Sequence, residues 1–193
     1  IETPEECLNA VRHSDFKVLE YSHSAGNESY RKKLTEYYAK NNIHVTPDEI
    51  IVTTGGSEAI LFGFMACLDP GDEVIIPQPF YANYNGFAVA AGVSVKPISS
   101  SIETGFALPP IKDFEQAITE KTKAIVICNP NNPTGYLYSA EEMQVLKTLI
   151  LKHDLFLFAD EAYREFCYDG EFTSAMHLKG VEDNVVLMDT ISK

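Results

Sequence analysis

The sequence predicts an α/β domain: a mainly parallel sheet with helices on both faces. Two observations carry that expectation. Short, nearly unbroken apolar runs (Val74 to Ile76, Lys123 to Cys128, Leu155 to Phe158, Val185 to Met188) alternate with stretches of helical periodicity. Strands that are apolar on both faces need cover on both, and a helix is the usual connection between parallel strands. The residues of unusual chemistry also follow these runs directly. That places them beyond the carboxyl ends of the strands, where open parallel sheets gather ligands.

In chain order, Glu28 to Asn41 carries Tyr30, Leu34, Tyr37 and Tyr38 at the spacing of one helical face. Glu49 to Thr54 is a strand candidate, which Gly55-Gly56 turns into a helix over Ser57 to Leu68. Asp69-Pro70-Gly71-Asp72 is a turn leading to the strand Glu73 to Ile76. Tyr81 to Ala91 reads as a helix that Gly92 ends, before a strand over Val93 to Val95. Phe114 to Ile118 is a short helix and Lys123 to Cys128 a buried strand. Ser139 with Glu142 is a capping box that starts a helix reaching about His153. Leu155 to Phe158 and Asn184 to Met188 are the last two strands. Crossovers between such strands are expected to be right-handed.

The 193 residues suit one large domain, and 45% hydrophobic content is enough for a buried core. A net charge of −13, from 28 acidic and 15 basic residues, argues against a nucleic-acid partner. Cys7, Cys67, Cys128 and Cys167 show no CxxC spacing; three sit in apolar stretches and read as core residues of a reducing compartment. The opening Ile1 to Glu6 has no basic region ahead of an apolar one, unlike a signal peptide. The longest apolar run, Ala59 to Leu68, falls short of the ~20 residues that span a bilayer. A cytoplasmic protein is expected. The start without Met and the stop at Lys193, just after a strand, read as a piece of a longer polypeptide.

Four segments carry chemistry. Gly55-Gly56-Ser57 lies at a strand-to-helix turn, where free N–H groups and the Ser57 hydroxyl suit an anion; a plain tight turn with a serine cap reads equally well. Asn129-Pro130-Asn131-Asn132-Pro133-Thr134-Gly135 is a rigid loop after a buried strand, suited to hold an asparagine toward a ligand oxygen. Asp160-Glu161-Ala162-Tyr163 puts an acid at the end of a buried strand, costly without a partner. It is a helix cap, the acidic pair of a P-loop ATPase, or an acid facing a protonated ring nitrogen. The ATPase reading fails because no G-x-x-x-x-G-K-[ST] precedes it. Lys193 in Thr190-Ile191-Ser192-Lys193 would pass alone for a surface residue; placed at the same sheet edge, it becomes a candidate nucleophile.

Together with Tyr21, Gly26 and Pro79-Phe80-Tyr81, these segments resemble the fold-type I, class I/II aminotransferases that include aspartate aminotransferase, and the resemblance runs the length of the chain. It implies that residues 1–193 are part of the large domain that binds pyridoxal 5'-phosphate (PLP), with the rest of that domain and a C-terminal small domain lying elsewhere. It implies Lys193 as the lysine holding PLP as a Schiff base, and Asp160 as the acid keeping the pyridine nitrogen protonated. Tyr163 and Asn132 would bond the phenolic oxygen, and Tyr81 would stack on the ring where many relatives have Trp. Gly56, Ser57 and Thr190 would cup the phosphate, with Gly55 also in the cofactor-binding set and Thr190 standing where the family more often has Ser. Tyr21 would reach the phosphate of a neighbouring subunit, which implies a homodimer. The implied reaction is transamination between an amino acid, aspartate foremost, and a 2-oxo acid such as 2-oxoglutarate, with Lys193 as general base.

The family's arginines for the phosphate and for the substrate carboxylate fall outside these residues, so the 193-residue chain alone is expected to be inactive. A PLP lyase or synthase of the same fold would share nearly all these residues. A regulatory, non-catalytic domain would have no need of an intact Lys193, Asp160 and Tyr163. A dinucleotide-binding domain fails on motif, because Gly55-Gly56-Ser57 is not G-x-G-x-x-G.

Overall fold

The computed structural model describes residues 2–193, so that Ile1 of the opening stretch lies outside the described residues. It contains a five-stranded, wholly parallel sheet in the order β2-β1-β3-β4-β5. The strands are β1 (Glu73–Gln78), β2 (Ser94–Ser99), β3 (Thr122–Cys128), β4 (Phe156–Asp160) and β5 (Val185–Met188). Ahead of the sheet come α1 (Glu5–Arg12), α2 (Glu28–Lys40) and α3 (Gly56–Cys67). α4 (Asn83–Ala90) leads from β1 to the edge strand β2, and α5 (Ile111–Ala117) brings the chain back past β1 to β3. α6 (Ala140–His153) joins β3 to β4, and an irregular stretch with short 3-10 turns joins β4 to β5. The direction of winding therefore reverses between β1 and β3. A reversal of this kind opens a crevice at the carboxyl ends of the strands.

Side chains alternate across the sheet with period two, and both faces are dry. Ile75, Ile125, Ile127 and Leu157 point to one face, against Phe114 of α5 and Met143, Leu146, Leu149 and Ile150 of α6. Val74, Ile76, Val126 and Phe158 point to the other, against Ile60 and Phe64 of α3 and Tyr84 and Ala88 of α4. This is why the strands read as continuous apolar runs. The prolines sit where the ladder tolerates them. Pro97 lies on the edge strand, and Pro77 lies past the last β1–β3 pair, Ile75 with Ile125.

α6 starts where the capping box places it. The Ser139 hydroxyl accepts from Glu142 N–H at 3.2 Å, and the Glu142 carboxylate accepts from Ser139 N–H at 2.7 Å. α2 is capped in turn by Asn27, whose side chain accepts from Tyr30 N–H at 3.2 Å.

Three expectations need correction. Glu49 to Thr54 is not a strand. Glu49 closes a 3-10 turn as the partner of Thr46, whose N–H donates to its carboxylate at 2.7 Å. The residues after it are held by one sheet-like bond, Val52 N–H to the Ala25 carbonyl at 2.9 Å, and Ile51 is left exposed. The segment has strand-forming residues, but among the described residues no strand lies beside it to complete a ladder. The strand expected over Val93 to Val95 runs instead from Ser94 to Ser99, because edge position removes the objection to Pro97. Of the cysteines, only Cys128 is fully buried; Cys67 ends a helix, Cys167 lies in the irregular stretch, and all four are free thiols.

The first helix buries none of its residues, and Phe16, Leu19 and Tyr21 beyond it are exposed. Among the described residues, no helix is long and apolar enough to cross a membrane, and no group of side chains is arranged to hold a metal ion.

Candidate active site

A cleft opens at the carboxyl ends of β1, β3, β4 and β5. Each strand ends in a residue or loop that lines it: Tyr81 after β1, Asn132 after β3, Asp160 to Tyr163 at the end of β4, and Asp189 to Lys193 after β5. The N-terminus of α3 closes one end with Gly56 and Ser57. Segments more than a hundred residues apart in the chain thus meet in one place, as their shared position after strands predicts.

The donors at the α3 end are free. Among the described residues, no protein acceptor takes the N–H groups of Gly56 and Ser57, which are the unpaired first donors of a helix. Thr190 faces them, and a Cβ added at Gly56 would come within 3.7 Å of the Thr190 Cβ. Glycine therefore keeps a gap between α3 and the turn after β5. Gly55 is extended, with φ 167°, and does not line the cleft; a Cβ there would meet nothing within 4 Å.

The loop after β3 divides its asparagines between two jobs. Asn129 is fully buried, accepting from Tyr138 N–H at 3.1 Å and donating to the Thr173 carbonyl at 3.1 Å. Asn131 donates to the Pro79 carbonyl at 3.1 Å and the Thr134 hydroxyl at 2.8 Å, which ties this loop to the one after β1. Asn132 is turned into the cleft, and no protein group among the described residues takes up its side-chain amide. Gly135 closes the loop at φ +73°, where a side chain would be strained.

Asp160 lies at the floor, almost wholly buried. Its Oδ1 accepts from Ala162 N–H at 3.1 Å, and its Oδ2 accepts from the hydroxyl of Tyr84 at 2.8 Å. Among the described residues, no cation comes within ion-pair distance of it. Burial pushes its carboxyl above the ordinary range, with the charge of Asp189 adding to the effect, while the bonds from Tyr84 and Ala162 and the more distant charge of Lys193 pull the other way. Tyr163 stands beside it at the cleft wall, and the Lys193 amine lies 5.5 Å from the centre of the Tyr163 ring. Tyr81 packs edge-on to Tyr84, with ring centres 5.5 Å apart. Tyr21 is fully exposed and takes no part in the cleft of its own chain.

The family model "Aminotransferase class I and II" matches residues 2–193. The chain belongs to the class I and II aminotransferases. It is 39% identical over 175 residues to an aspartate/prephenate aminotransferase of Thermus thermophilus, covering 90% of this chain and 45% of the relative. Among solved structures it is similar to the aspartate aminotransferase of Thermotoga maritima, with a TM-score of 0.93 and 32% identity over 100% of this chain and 52% of that one. The aromatic aminotransferase of Pyrococcus horikoshii gives a TM-score of 0.94 and 28% identity, again over 100% of this chain and 52% of the other. The chain spans about half the length of the curated relatives it matches. Aminotransferases of this class depend on PLP.

Sequence reasoning missed three residues at this aminotransferase cleft. Tyr84, the donor to Asp160, lies in the first turn of α4 four residues before Ala88, and the two share the buried face of that helix. Asp189 stands at the end of an apolar strand, the same signal that singled out Asp160. Arg164, bonded to Asp189 at 3.0 Å, gave no signal in the sequence.

Proposed function

We propose that the cleft holds PLP and that the full-length protein bearing this sequence is an aminotransferase. One observation carries the reading: a buried carboxylate, Asp160, has no ion-pair partner, the Lys193 amine acting on it only from a distance, and it lines the same cleft as the free N–H donors of α3 and the hydroxyls of Ser57 and Thr190. That pattern fits a ligand with a cationic ring nitrogen at one end and a phosphate at the other. A carboxylate kept out of water is stable as an anion only when a cation joins it, so a protonated pyridine would draw the Asp160 carboxyl back toward ionisation. Gly56, Ser57 and Thr190 supply donors for the phosphate. Asn132 and Tyr163 supply donors for the phenolic oxygen, and Tyr81 supplies an aromatic face.

When bound, PLP provides an electron sink for the pair left as a substrate Cα proton departs. The remaining work belongs to the protein. Lys193 carries the amine that anchors the cofactor and, once displaced, takes the Cα proton as general base. Asp160 holds positive charge on the ring nitrogen by electrostatics in a dry site. Tyr84 and Ala162 N–H fix the carboxylate in the orientation that this needs.

Aspartate or a related amino acid with 2-oxoglutarate is the substrate pair proposed, supported by relatives named aspartate and aspartate/prephenate aminotransferases. Residues 1–193 are proposed as part of the large cofactor-binding domain, with the substrate-carboxylate arginine supplied from outside them, which the half-length coverage supports. The 193-residue chain alone should then show no transamination. A homodimer in the cytoplasm is proposed, with exposed Tyr21 reaching the neighbouring copy's phosphate site.

The test uses the full-length protein. Borohydride should fix PLP covalently to Lys193, and Lys193→Ala should abolish the label. A wild type that never takes up PLP, or a Lys193→Ala protein still labelled in this segment, would sink the reading. Release of pyruvate and ammonia without an oxo-acid acceptor would favour a lyase instead.

A further inference from the structure

Two carboxylates line the cleft, and they are treated in opposite ways. Asp160 has no cation, whereas Asp189 is paired with Arg164, whose Nη2 donates to its Oδ2 at 3.0 Å. The hydroxyl of Tyr38 donates to the same oxygen at 3.2 Å. The other oxygen, Oδ1, accepts from the N–H of Thr190 at 2.7 Å. Asp189 therefore braces the turn that carries the Thr190 hydroxyl and Lys193.

Arg164 is built in rather than incidental. Its side chain is 3% exposed, and its Nε donates to the buried Glu161 at 3.2 Å. Its guanidinium carbon lies 5.2 Å from the ring centre of Tyr38, 5.8 Å from Tyr37 and 6.0 Å from Phe172. Burying a guanidinium is costly; these contacts offset part of that cost, while Nη1 is left buried without a hydrogen-bond partner among the described residues. It joins the residue after Asp160 to the residue before Thr190, so one group ties the two ends of the cleft together.

A bare carboxylate one residue from a phosphate-binding hydroxyl would repel a phosphate dianion in a site of low dielectric. We propose that Arg164 is a positioning residue for the phosphate end of the cleft: it neutralises Asp189 where Asp189 braces Thr190, so that a phosphate can settle on Gly56, Ser57 and Thr190. The inference rests on the PLP reading and goes beyond it. It assigns phosphate affinity to a buried arginine that need not touch the phosphate.

The test compares PLP with pyridoxal, which lacks the phosphate, as ligands of the full-length protein. A role limited to holding loops together would weaken both ligands alike. Charge balance predicts that Arg164→Gln lowers affinity for PLP about tenfold while pyridoxal changes by less than about threefold, a lost charge-assisted contact being of that order. Arg164→Gln combined with Asp189→Asn should return the PLP-to-pyridoxal ratio to within about threefold of wild type, because the uncompensated carboxylate has gone. Equal losses for the two ligands, or a ratio that the second substitution fails to restore, would overturn the proposal. If Arg164→Gln does not fold, Asp189→Asn alone should raise the ratio; an unchanged or lower ratio would overturn it. A wild type that binds neither ligand would defeat the cofactor reading itself, and this inference with it.

Discussion

Replacing Tyr84 with Phe should make the protein's stability loss depend on pH, by an amount the structure sets. The phenol ring is fully buried among core side chains, and its one polar atom donates to Asp160 Oδ2 at 2.8 Å. Tyr84→Phe keeps the ring and removes only that bond, so no large cavity forms. A hydrogen bond to a charged acceptor contributes about 1.5–3 kcal/mol and one to a neutral acceptor about 1 kcal/mol. Asp160 already has its carboxyl raised, chiefly by burial, and the Tyr84 bond is the strongest influence holding it down. Losing the bond should therefore lift it further. The sign follows from proton binding. A carboxyl whose folded value lies above its unfolded one binds its proton more tightly in the folded state. Its contribution is present below the unfolded value and is lost as pH rises through the folded one. Tyr84→Phe widens that interval upward. Urea unfolding of the ligand-free protein from acid to neutral pH should show a deficit of about 1 kcal/mol growing to about 2 kcal/mol. A deficit that stays constant across the range would show that Tyr84 does not govern the Asp160 carboxyl.

Two further substitutions separate folding from binding. Gly56→Ala should leave stability unchanged or slightly raised, since a Cβ there makes only ordinary contact with Thr190 and alanine suits a helix. The same Cβ should fill the gap facing Thr190 and weaken PLP binding about tenfold or more, measured by absorbance titration. Gly26→Ala should do the reverse. At φ +97° its Cβ would lie 2.6 Å from that of Val52, so thermal unfolding should show a loss of about 2 kcal/mol or more, against intact PLP affinity in whatever remains folded.

Most of the fold was legible because its causes are local. Period-two alternation with both faces apolar marks β1, β3 and β4, and Ser139 with Glu142 marks the start of α6 to the residue. Glu49 to Thr54 shows the limit of such reasoning. Its residues have strand character, but a strand needs a neighbour, and the sequence of a segment does not say whether one is present. The cleft followed the same division. Asp160, Asn132, Tyr163 and Lys193 could be grouped because each follows a strand, which is a local property. Tyr84, Arg164 and Asp189 act through pairings between distant segments, and polar pairings of that kind leave no periodicity to read.

Those pairings sharpen the reading of the two acids. Asp160 ends β4 opposite Met188, Asp189 follows directly on the adjacent parallel strand β5, and both line the cleft. By sequence they are equivalent candidates to face a cationic ligand. Burial raises the energy of either as an anion, and each must find compensation. Asp189 has it within the protein, from Arg164 and Tyr38, and spends its second oxygen on the backbone of Thr190. Asp160 has only a phenol and one backbone N–H, neither of them charged. The carboxylate without an ion-pair partner is thus the one left to be compensated by a ligand, and it shares the cleft with the free donors of α3. A ligand that satisfies both groups carries positive charge near Asp160 and negative charge near Gly56, and that polarity would set the direction in which a bound cofactor lies.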